Sequence, residues 1–306
     1  MSQTILITGT SSGFGRLAAE TLARQGHTVF AAMRETAGRN AGAADELRAR
    51  AARDSHALTV VEMDVLDDAS TAAAVGHVLD DAGRLDVLVN NVGQGSWGLT
   101  EAFTTAQVEA LFATNVFGAV RADRAVLPAM RAQRSGLLIH VSSLIGRLVL
   151  PYMTPYSAAK HALEALAEGY HYELAALGIE SVIVEPQSHP TTGSLHKIVF
   201  PDDEAAVAGY GPLSERSRAM FDANDRMLTG QDAPDAQDVA DAIARLVAAP
   251  AGQRPLRTVV GGPMTQLVEP INQTTAAVQQ QLLQFTGLAD LTSPPPQAPT
   301  EEGRER

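Results

Sequence analysis

The sequence has no cysteine, few aromatic residues and no long basic run. Because none of the 306 residues is a cysteine, disulfides, thiolate nucleophiles and cysteine-ligated metal sites are excluded, and a reducing compartment is weakly favoured. Aromatic residues make up 5% and hydrophobic residues 45%, so we expect a core of Ala, Val and Leu. The formal net charge of −12 argues against nucleic acid or an anionic membrane as the main partner.

Long apolar runs are also missing. No stretch approaches the roughly 20 apolar residues that a membrane-spanning helix requires. Residues 4–8 already have the pattern of a strand, so we expect no secretory signal ahead of the fold and a cytoplasmic location. A chain of this length can bury one large core, and a single catalytic domain is expected over residues 1–265.

Short apolar runs alternate with longer helical patterns, which is typical of βαβ units. The fold class predicted is therefore α/β: one Rossmann-type, doubly wound parallel sheet of about seven strands with helices on both faces. Pro128 is expected to kink or end the longest helix. The predicted strands are 3–8, 28–33, 57–63, 86–90, 136–142, 179–185 and 256–261, and the predicted helices are 14–25, 42–53, 68–82, 105–134, 155–177 and 236–248.

Three later regions depart from this alternation. Residues 188–230 lack a strand pattern and follow a strand, which favours an insertion that covers the substrate. Residues 266–292 are expected to form a helical extension, with a Gln-rich helix near 271–286 that could pack on the domain or on a second subunit. Residues 293–306 are rich in proline and then charged, and we interpret them as a disordered tail.

A glycine-rich loop follows the first predicted strand and opens the first helix. Glycine permits a sharp turn and a close approach of the backbone to a pyrophosphate, and the helix N-terminus offers N–H groups and a positive dipole. The alternative is an ordinary Gly-rich turn between strand and helix. The placement favours a dinucleotide loop, whose candidate binding residues are Gly9, Ser11, Ser12, Gly13, Phe14 and Gly15.

The end of the second predicted strand bears on the choice of cofactor. An NAD site typically has an acidic residue there, but this sequence has Met33 followed by Arg34. A guanidinium can pair with the 2′-phosphate of NADP, which a carboxylate would repel. NADP(H) is therefore favoured; the alternative is NAD, with Arg34 as a solvated loop residue.

Tyr156 and Lys160 lie four residues apart at the start of a predicted helix, so they share one face. A free tyrosine titrates near 10, and a nearby ammonium, together with an oxidised nicotinamide, is expected to lower the pKa of Tyr156. Taken alone, this pair could be a chance pattern on an exposed helix. Ser143 ends the preceding strand, where an open α/β sheet faces its ligand, and Ser142 is the alternative hydroxyl.

These motifs, in this order, resemble the short-chain dehydrogenase/reductase family. The resemblance runs from Thr8 to about Thr191 and includes the G-x-x-x-G-x-G spacing, Asn-Asn-Val-Gly at 90–93 and Asn115. It implies a catalytic set of Asn115, Ser143, Tyr156 and Lys160. It also implies that Asp64, Val65, Asn91, Val92, Gly93, Tyr156, Lys160, Pro186 and Thr191 contact the cofactor.

The resemblance implies a mechanism. Ser143 would polarise a carbonyl, Tyr156 would act as acid/base, and Lys160 would bind the nicotinamide ribose and tune Tyr156. Asn115 would complete a proton relay through a water, and no metal is needed. The family's glycine after Pro186 is Gln187 here, which could alter nicotinamide placement. The candidate substrate-binding residues are Gln94, Ser143, Tyr156, Gln187 and His189.

The later part of the match resembles the hydroxysteroid and retinol dehydrogenase branch, which suggests an apolar alcohol or ketone as the small-molecule substrate. Two alternatives stay open: a non-catalytic dinucleotide sensor or scaffold on the same fold, and an epimerase or dehydratase of the extended relatives. Family members usually pair through the two long helices, here 105–134 and 155–177, so a homodimer or homotetramer is expected.

Overall fold

The computed structural model describes residues 2–189, 198–230 and 233–292. The strands are β1 (Thr4–Thr8), β2 (Thr28–Met33), β3 (Leu58–Glu62), β4 (Val87–Asn90), β5 (Gly136–Val141), β6 (Ile179–Pro186) and β7 (Arg257–Val260). The helices are α1 (Gly13–Arg24), α2 (Ala41–Asp54), α3 (Asp68–Ala82), α4 (Thr105–Phe112), α5 (Gly118–Gln133), α6 (Thr154–Ala175), α7 (Glu204–Gly209), α8 (Pro212–Thr229), α9 (Gln237–Ala248) and α10 (Thr265–Thr286).

The seven strands form one parallel sheet in the order β3-β2-β1-β4-β5-β6-β7. The predicted fold class is therefore confirmed, and each predicted strand ends within one residue of the observed strand. The strand order reverses between β1 and β4, and a crevice outside the carboxyl ends is the usual ligand site in such sheets. The loops after β1, β2, β4, β5 and β6 all open at this edge.

Both faces of the sheet are covered, and this is why its strands read as continuous apolar runs. Ile5 and Ile7 of β1 belong to a core that includes residues of α1, α2 and α9. Leu6, between them, faces a second core that includes residues of α3, α5 and α6. All five β1 residues are buried, as are all four of β4. The central strands are thus fixed by side chains on alternate faces.

The predicted helix 105–134 is interrupted in the structure. A π-helical turn over residues 113–117 separates α4 from α5, where the N–H of Gly118 donates to the carbonyl of Ala113. The helix continues five residues beyond Pro128, so the proline does not end it. The apolar spacing on both sides of this turn is helical, which is why the sequence predicts one continuous helix over residues 105–134.

The described part of the predicted insertion contains helices α7 and α8. Trp97, which is 3% exposed, donates from its indole N–H to the carbonyl of Ser217 in α8 and packs edge-on against Phe221. Residues 190–197 of the insertion lie outside the described residues. Trp97 therefore anchors α8 to the loop after β4.

The C-terminal helix α10 begins at Thr265, six residues before the predicted start near 271. Pro270 is the sixth residue of α10, so its missing N–H leaves the carbonyl of Gln266 without its usual helical donor. The predicted tail, 293–306, lies outside the described residues, and the domain limits at 265 and 292 stay predictions. Among the described helices, none combines the length and the apolar character needed to cross a membrane.

Gly178, between α6 and β6, offers a test of this packing. Its φ is +72°, and a Cβ there would lie 2.4 Å from the carbonyl oxygen of Arg134. We expect Gly178→Ala to reduce the free energy of unfolding by about 1–3 kcal/mol, because left-handed strain and a backbone clash combine. The measurement is urea unfolding followed by circular dichroism.

Gly76→Ala is the matched control, because Gly76 lies inside α3 and a Cβ there has no neighbour within 4 Å. This change should raise the free energy of unfolding by about 0.5–1 kcal/mol. Equal effects from the two substitutions would contradict the structural account of Gly178.

Candidate functional site

The glycine loop lies at the carboxyl end of β1, as predicted. Gly9 and Gly13 have φ values of +73° and +62°, which side chains rarely adopt. At Gly15, a Cβ would lie 2.4 Å from the side-chain nitrogen of Asn91. Helix α1 has no acidic residue in its first turn, so its positive end faces the loop without a competing carboxylate. The loop therefore has the shape and polarity that suit a pyrophosphate.

Asn91 ties the end of β4 to this loop. Its side-chain nitrogen donates to the carbonyls of Thr8 (2.9 Å) and Gly9 (3.1 Å), and its backbone N–H donates to the Thr8 hydroxyl (3.0 Å). Val92 packs close to Gly9, where a Cβ would lie 2.9 Å from its Cγ2 atom. These contacts place Asn91, Val92 and the glycine loop together and give the glycines a packing role as well.

Arg34 lies on the surface in the turn after β2, with its side chain 43% exposed. The preceding residue, Met33, is buried. It occupies the position at the end of β2 where an NAD site typically has a carboxylate. Glu35 carries the nearest acidic group: its Oε1 is 3.9 Å from the Nε of Arg34 and 3.1 Å from the Nη2 of Arg39. Glu62 accepts from the N–H groups of Glu35 and Thr36 and so fixes the turn.

Asp64 and Val65 follow β3. The Asp64 carboxylate accepts from the N–H of Leu66 at 3.0 Å, and the backbone N–H of Asp64 donates to the Ser70 hydroxyl at 2.9 Å. Val65 is buried against Gly118, where a Cβ would lie 2.9 Å from its Cγ2. Val65 thus lies against the start of α5, directly after the π turn.

Asn115 is 1% exposed and lies in the middle of the π turn. Its side-chain nitrogen donates to the carbonyls of Gln94 (3.0 Å) and Leu111 (2.9 Å), and its oxygen accepts from the N–H of Gln94 (3.1 Å). A Cβ on Gly93 would lie 3.2 Å from this oxygen and 3.5 Å from the Nζ of Lys160. Asn115, Gly93 and Lys160 are therefore neighbours. π turns are frequent at functional sites.

Ser143 and Tyr156 meet at the carboxyl end of β5. The Ser143 hydroxyl accepts from the N–H of Ile145 and donates to the carbonyl of Pro186, both at 3.4 Å. Burial raises the pKa of Tyr156 to about 12, and a hydrogen bond with the Ser143 hydroxyl opposes that rise. Among the chain's own residues, desolvation of the phenolate outweighs this polar contact. The lowering expected from Lys160 together with an oxidised nicotinamide stays a prediction.

Lys160 is 2% exposed and its ammonium donates to the carbonyl of Val141 at 2.8 Å. The Nζ atom is 5.7 Å from the centre of the Tyr156 ring. Burial lowers the pKa of Lys160 to about 8, while the Glu164 carboxylate one turn later raises it. The lysine still carries a positive charge at neutral pH, and its position depends on the backbone at the end of β5.

Gln187, which replaces the family's glycine, is buried beside the end of β7. Its N–H donates to the carbonyl of Val260 at 2.9 Å, and its side chain packs against Gly261 and Gly262. His189 is 4% exposed, with its Nδ1 atom 2.7 Å from the Gln187 carbonyl and its ring edge-on to Phe14 at 5.4 Å. Thr191 lies outside the described residues.

Sequence reasoning missed a group of buried carboxylates beside the site. Arg257 of β7 contacts Glu164 (2.9 Å) and Glu168 (2.6 Å) of α6 and Glu185 (3.4 Å) of β6. Burial and the neighbouring Glu164 raise the pKa of Glu185 to about 8, so it tends to hold a proton. The sequence feature that could have revealed this group is Glu164, an acidic residue on the buried face of α6.

Asp123 shows the same signal on the buried face of α5. It is 1% exposed and accepts a 2.7 Å hydrogen bond from Asn90, whose side-chain nitrogen is also 3.4 Å from the Nδ1 of His140. Burial lowers the pKa of His140 to about 3, so its ring is neutral. Within the described residues, no group of three or more potential ligands is placed to hold a metal ion.

Comparison with known proteins agrees with this geometry. The model of the family described as short chain dehydrogenase matches residues 3–197. The chain is 37% identical over 184 residues to 3-ketodihydrosphingosine reductase of Bacteroides thetaiotaomicron, covering 60% of this chain and 63% of the relative. It is 32% identical over 247 residues to the uncharacterized oxidoreductase YusZ of Bacillus subtilis, covering 79% and 83%.

A further relative is human retinol dehydrogenase 8, 37% identical over 188 residues, which cover 60% of this chain and 58% of the relative. The matched region thus spans less than two thirds of two of these three relatives. A solved short-chain dehydrogenase from Streptomyces avermitilis is 30% identical, with a TM-score of 0.71 and coverage of 94% and 97%. Gluconate 5-dehydrogenase from Burkholderia cenocepacia, solved with NADP and tartrate, is 28% identical with a TM-score of 0.57, covering 62% and 72%.

The buried Asp123 makes a prediction about pH. Burial raises its pKa from 3.8 to about 8, so the folded state binds this proton more tightly than the unfolded chain. Its contribution to stability is full below pH 3.8 and is lost as the pH rises through about 8. We expect Asp123→Asn to flatten the decline in unfolding free energy over this range by up to about 1.4 kcal/mol per pH unit.

Urea unfolding at several pH values measures this slope. Asp45→Asn serves as the control, because that carboxylate is 76% exposed on α2 and pairs only with Arg48. An unchanged slope in Asp123→Asn would show that Asp123 is ionised in the folded protein at neutral pH.

Proposed function

Because the chain belongs to the short chain dehydrogenase family, we propose that it is an NADP(H)-dependent oxidoreductase that interconverts an alcohol and a carbonyl. The observation that carries the proposal is the meeting of Ser143, Tyr156 and Lys160 at the carboxyl end of β5. The Ser143 hydroxyl acts against the rise in the pKa of Tyr156, and the Lys160 ammonium is 5.7 Å from the centre of the Tyr156 ring.

The proposed chemistry follows from these positions. The Ser143 hydroxyl holds the substrate oxygen, and the Tyr156 hydroxyl gives its proton to that oxygen in reduction or takes it back in oxidation. A bound nicotinamide supplies the hydride and, when oxidised, a positive charge beside the phenol. This charge acts against the desolvation that holds the pKa of Tyr156 near 12.

Lys160 and Asn115 support this chemistry. Its ammonium, fixed by the Val141 carbonyl, keeps further N–H donors for the ribose of the cofactor. Asn115 positions the neighbouring backbone: its side-chain nitrogen donates to the carbonyls of Gln94 and Leu111, and its side-chain oxygen accepts from the N–H of Gln94. That oxygen keeps one acceptor position that a relay water could use. Gln94 thereby holds the loop that borders the substrate.

Support for NADP comes from Arg34, with buried Met33 where an acidic residue would select NAD. The related gluconate 5-dehydrogenase was solved with NADP. The glycine loop and the N-terminus of α1 would hold the pyrophosphate, with Asn91, Val92 and Gly93 beside it. Phe14 at the start of α1 and His189 after β6 are in edge-on contact and would border the nicotinamide end.

We further propose an apolar substrate. Two of the relatives carry the names 3-ketodihydrosphingosine reductase and retinol dehydrogenase 8, and both names refer to apolar substrates. The covering helix α8 and the segment before α7 bring Phe200 and Phe221 into edge-on contact at 5.2 Å, beside Trp97. A cytoplasmic location and a homo-oligomer paired through α5 and α6 complete the proposal.

Tyr156→Phe tests the chemistry. With the phenolic proton removed, kcat/KM for ketone reduction should fall by about 10²–10⁴, while the Kd for NADPH changes little. Cofactor oxidation at 340 nm across a panel of apolar ketones, with calorimetric titration of NADPH, gives both quantities. Tyr170→Phe makes the same chemical change farther along α6 and should retain activity.

Comparable turnover by Tyr156→Phe would rule out the acid/base role. Tight cofactor binding by the wild type without turnover of any ketone or alcohol would instead favour the sensor reading of the fold.

Arg34→Ala tests cofactor choice. Loss of a charge-assisted contact worth about 1.5–3 kcal/mol should weaken NADPH binding by roughly 10–100-fold and leave NADH binding unchanged. Arg48→Ala, on the exposed face of α2, is the control and should alter neither Kd. Equal losses for the two cofactors would contradict a role in recognising the 2′-phosphate.

A further inference from the structure

Helix α10 exposes a row of large apolar side chains. We call this row the α10 stripe and define it as Leu267, Ile271, Val278, Leu282 and Phe285, of which Ile271 is half-buried and the other four are exposed. Leu267, Val278 and Leu282 are 58%, 59% and 50% exposed, and Phe285 is 90% exposed. Spacings of four, seven, four and three residues place all five on one side of the helix. Exposed apolar side chains that form one continuous row, unlike singly scattered ones, indicate an interaction surface.

The α10 stripe is separate from the face by which α10 is attached to the domain. Val268 and Leu283 are buried on the attached face. Asn272 lies on the same face, accepting from Arg147 at 2.9 Å and donating to Glu185 at 2.6 Å. At about 100° per residue, this face lies roughly a quarter turn from the stripe. The domain therefore fixes α10 without covering its apolar row.

Helix α10 differs from the rest of the chain in carrying almost no charge. The chain carries a net charge of −12, yet α10 contains a single charged residue, Glu269, and no basic one. Helix α8, which also exposes apolar residues (Leu213 and Met227), carries six charged side chains over 18 residues. Two strongly acidic copies repel each other least where charge is missing, and α10 is such a place.

The segments outside the described residues do not suit the stripe. Residues 293–306 contain no Leu, Ile, Val, Met or aromatic residue, and residues 190–197 contain one leucine. A lipid surface also fits poorly, because interfacial helices usually carry Lys and Arg on the polar face and residues 258–292 contain neither. The surface that matches an uncharged apolar row is another uncharged apolar row.

We propose that the α10 stripe is an interface between two copies of this chain, with the two α10 helices packed antiparallel about a twofold axis. Leu267 of one copy then lies against Phe285 of the other, and Thr274 lies against Val278. The 22-residue helix is about 33 Å long, so the pairing extends over its whole length. An antiparallel, isologous arrangement also pairs opposite ends of the two helix dipoles.

Sedimentation velocity of the full chain tests the interface. The double variant Leu282→Glu/Phe285→Glu places two carboxylates on each stripe and should halve the assembly, from dimer to monomer or from tetramer to dimer. Leu213→Glu/Met227→Glu changes two comparably exposed apolar residues on α8 and should keep the wild-type mass. A monomeric wild type at all concentrations, or an unchanged mass in the α10 variant, would overturn the proposal.

The absence of cysteine permits a second, geometric test. Thr274→Cys/Val278→Cys should form covalent dimers on mild oxidation, because the antiparallel pairing brings residue 274 of one copy against residue 278 of the other. Gln273→Cys/Ala277→Cys has the same spacing on the polar face and should stay monomeric on a non-reducing gel. Equal cross-linking of the two pairs would contradict the antiparallel arrangement.

Vesicle flotation completes the test. Phosphatidylcholine vesicles containing phosphatidylglycerol should not retain the wild-type protein. Retention that the Leu282→Glu/Phe285→Glu variant loses would assign the stripe to a lipid surface and overturn the proposal. All three readouts are independent of catalysis, so they stand whether or not the proposed oxidoreductase activity is found.

Discussion

One buried hydrogen bond organises the candidate site: the ammonium of Lys160 donates to the carbonyl of Val141 at 2.8 Å. A lysine that is 2% exposed has lost almost all of its hydration, and this contact returns part of what burial removes. It also fixes the start of α6 relative to the end of β5. This contact joins the two elements that carry Tyr156 and lead to Ser143.

The parts that could be predicted from sequence depend on local pattern. Strands β1 and β4 are buried on both faces, so their continuous apolar runs identified them within one residue. The glycine loop and the positions of Tyr156 and Lys160 followed from fixed spacings. The π turn at Asn115 did not, because it is a single turn between two helical stretches and was included in one long predicted helix.

The pKa values of buried groups were harder to predict from the sequence than the positions of the residues that carry them. The sequence places Lys160 near Tyr156 and so suggested a lowered pKa for the phenol, whereas burial raises that pKa to about 12. Burial depends on what the whole fold packs around a group, which spacing does not report. The carboxylates of Asp123 and Glu185 show the same limit: each is enclosed by several elements distant in the chain, and each then favours its proton.

The contact between Gln187 and Gly261 makes the two positions unequal. A Cβ at Gly261, where φ is +130°, would lie 2.5 Å from the Cγ of Gln187. Position 261 is therefore restricted twice, by its backbone conformation and by the side chain beside it. Position 187 carries neither restriction: replacing Gln187 with glycine would only empty the volume that its side chain fills. The glycine at 261 is thus the fixed member of the pair, and the residue at 187 is the one that can vary.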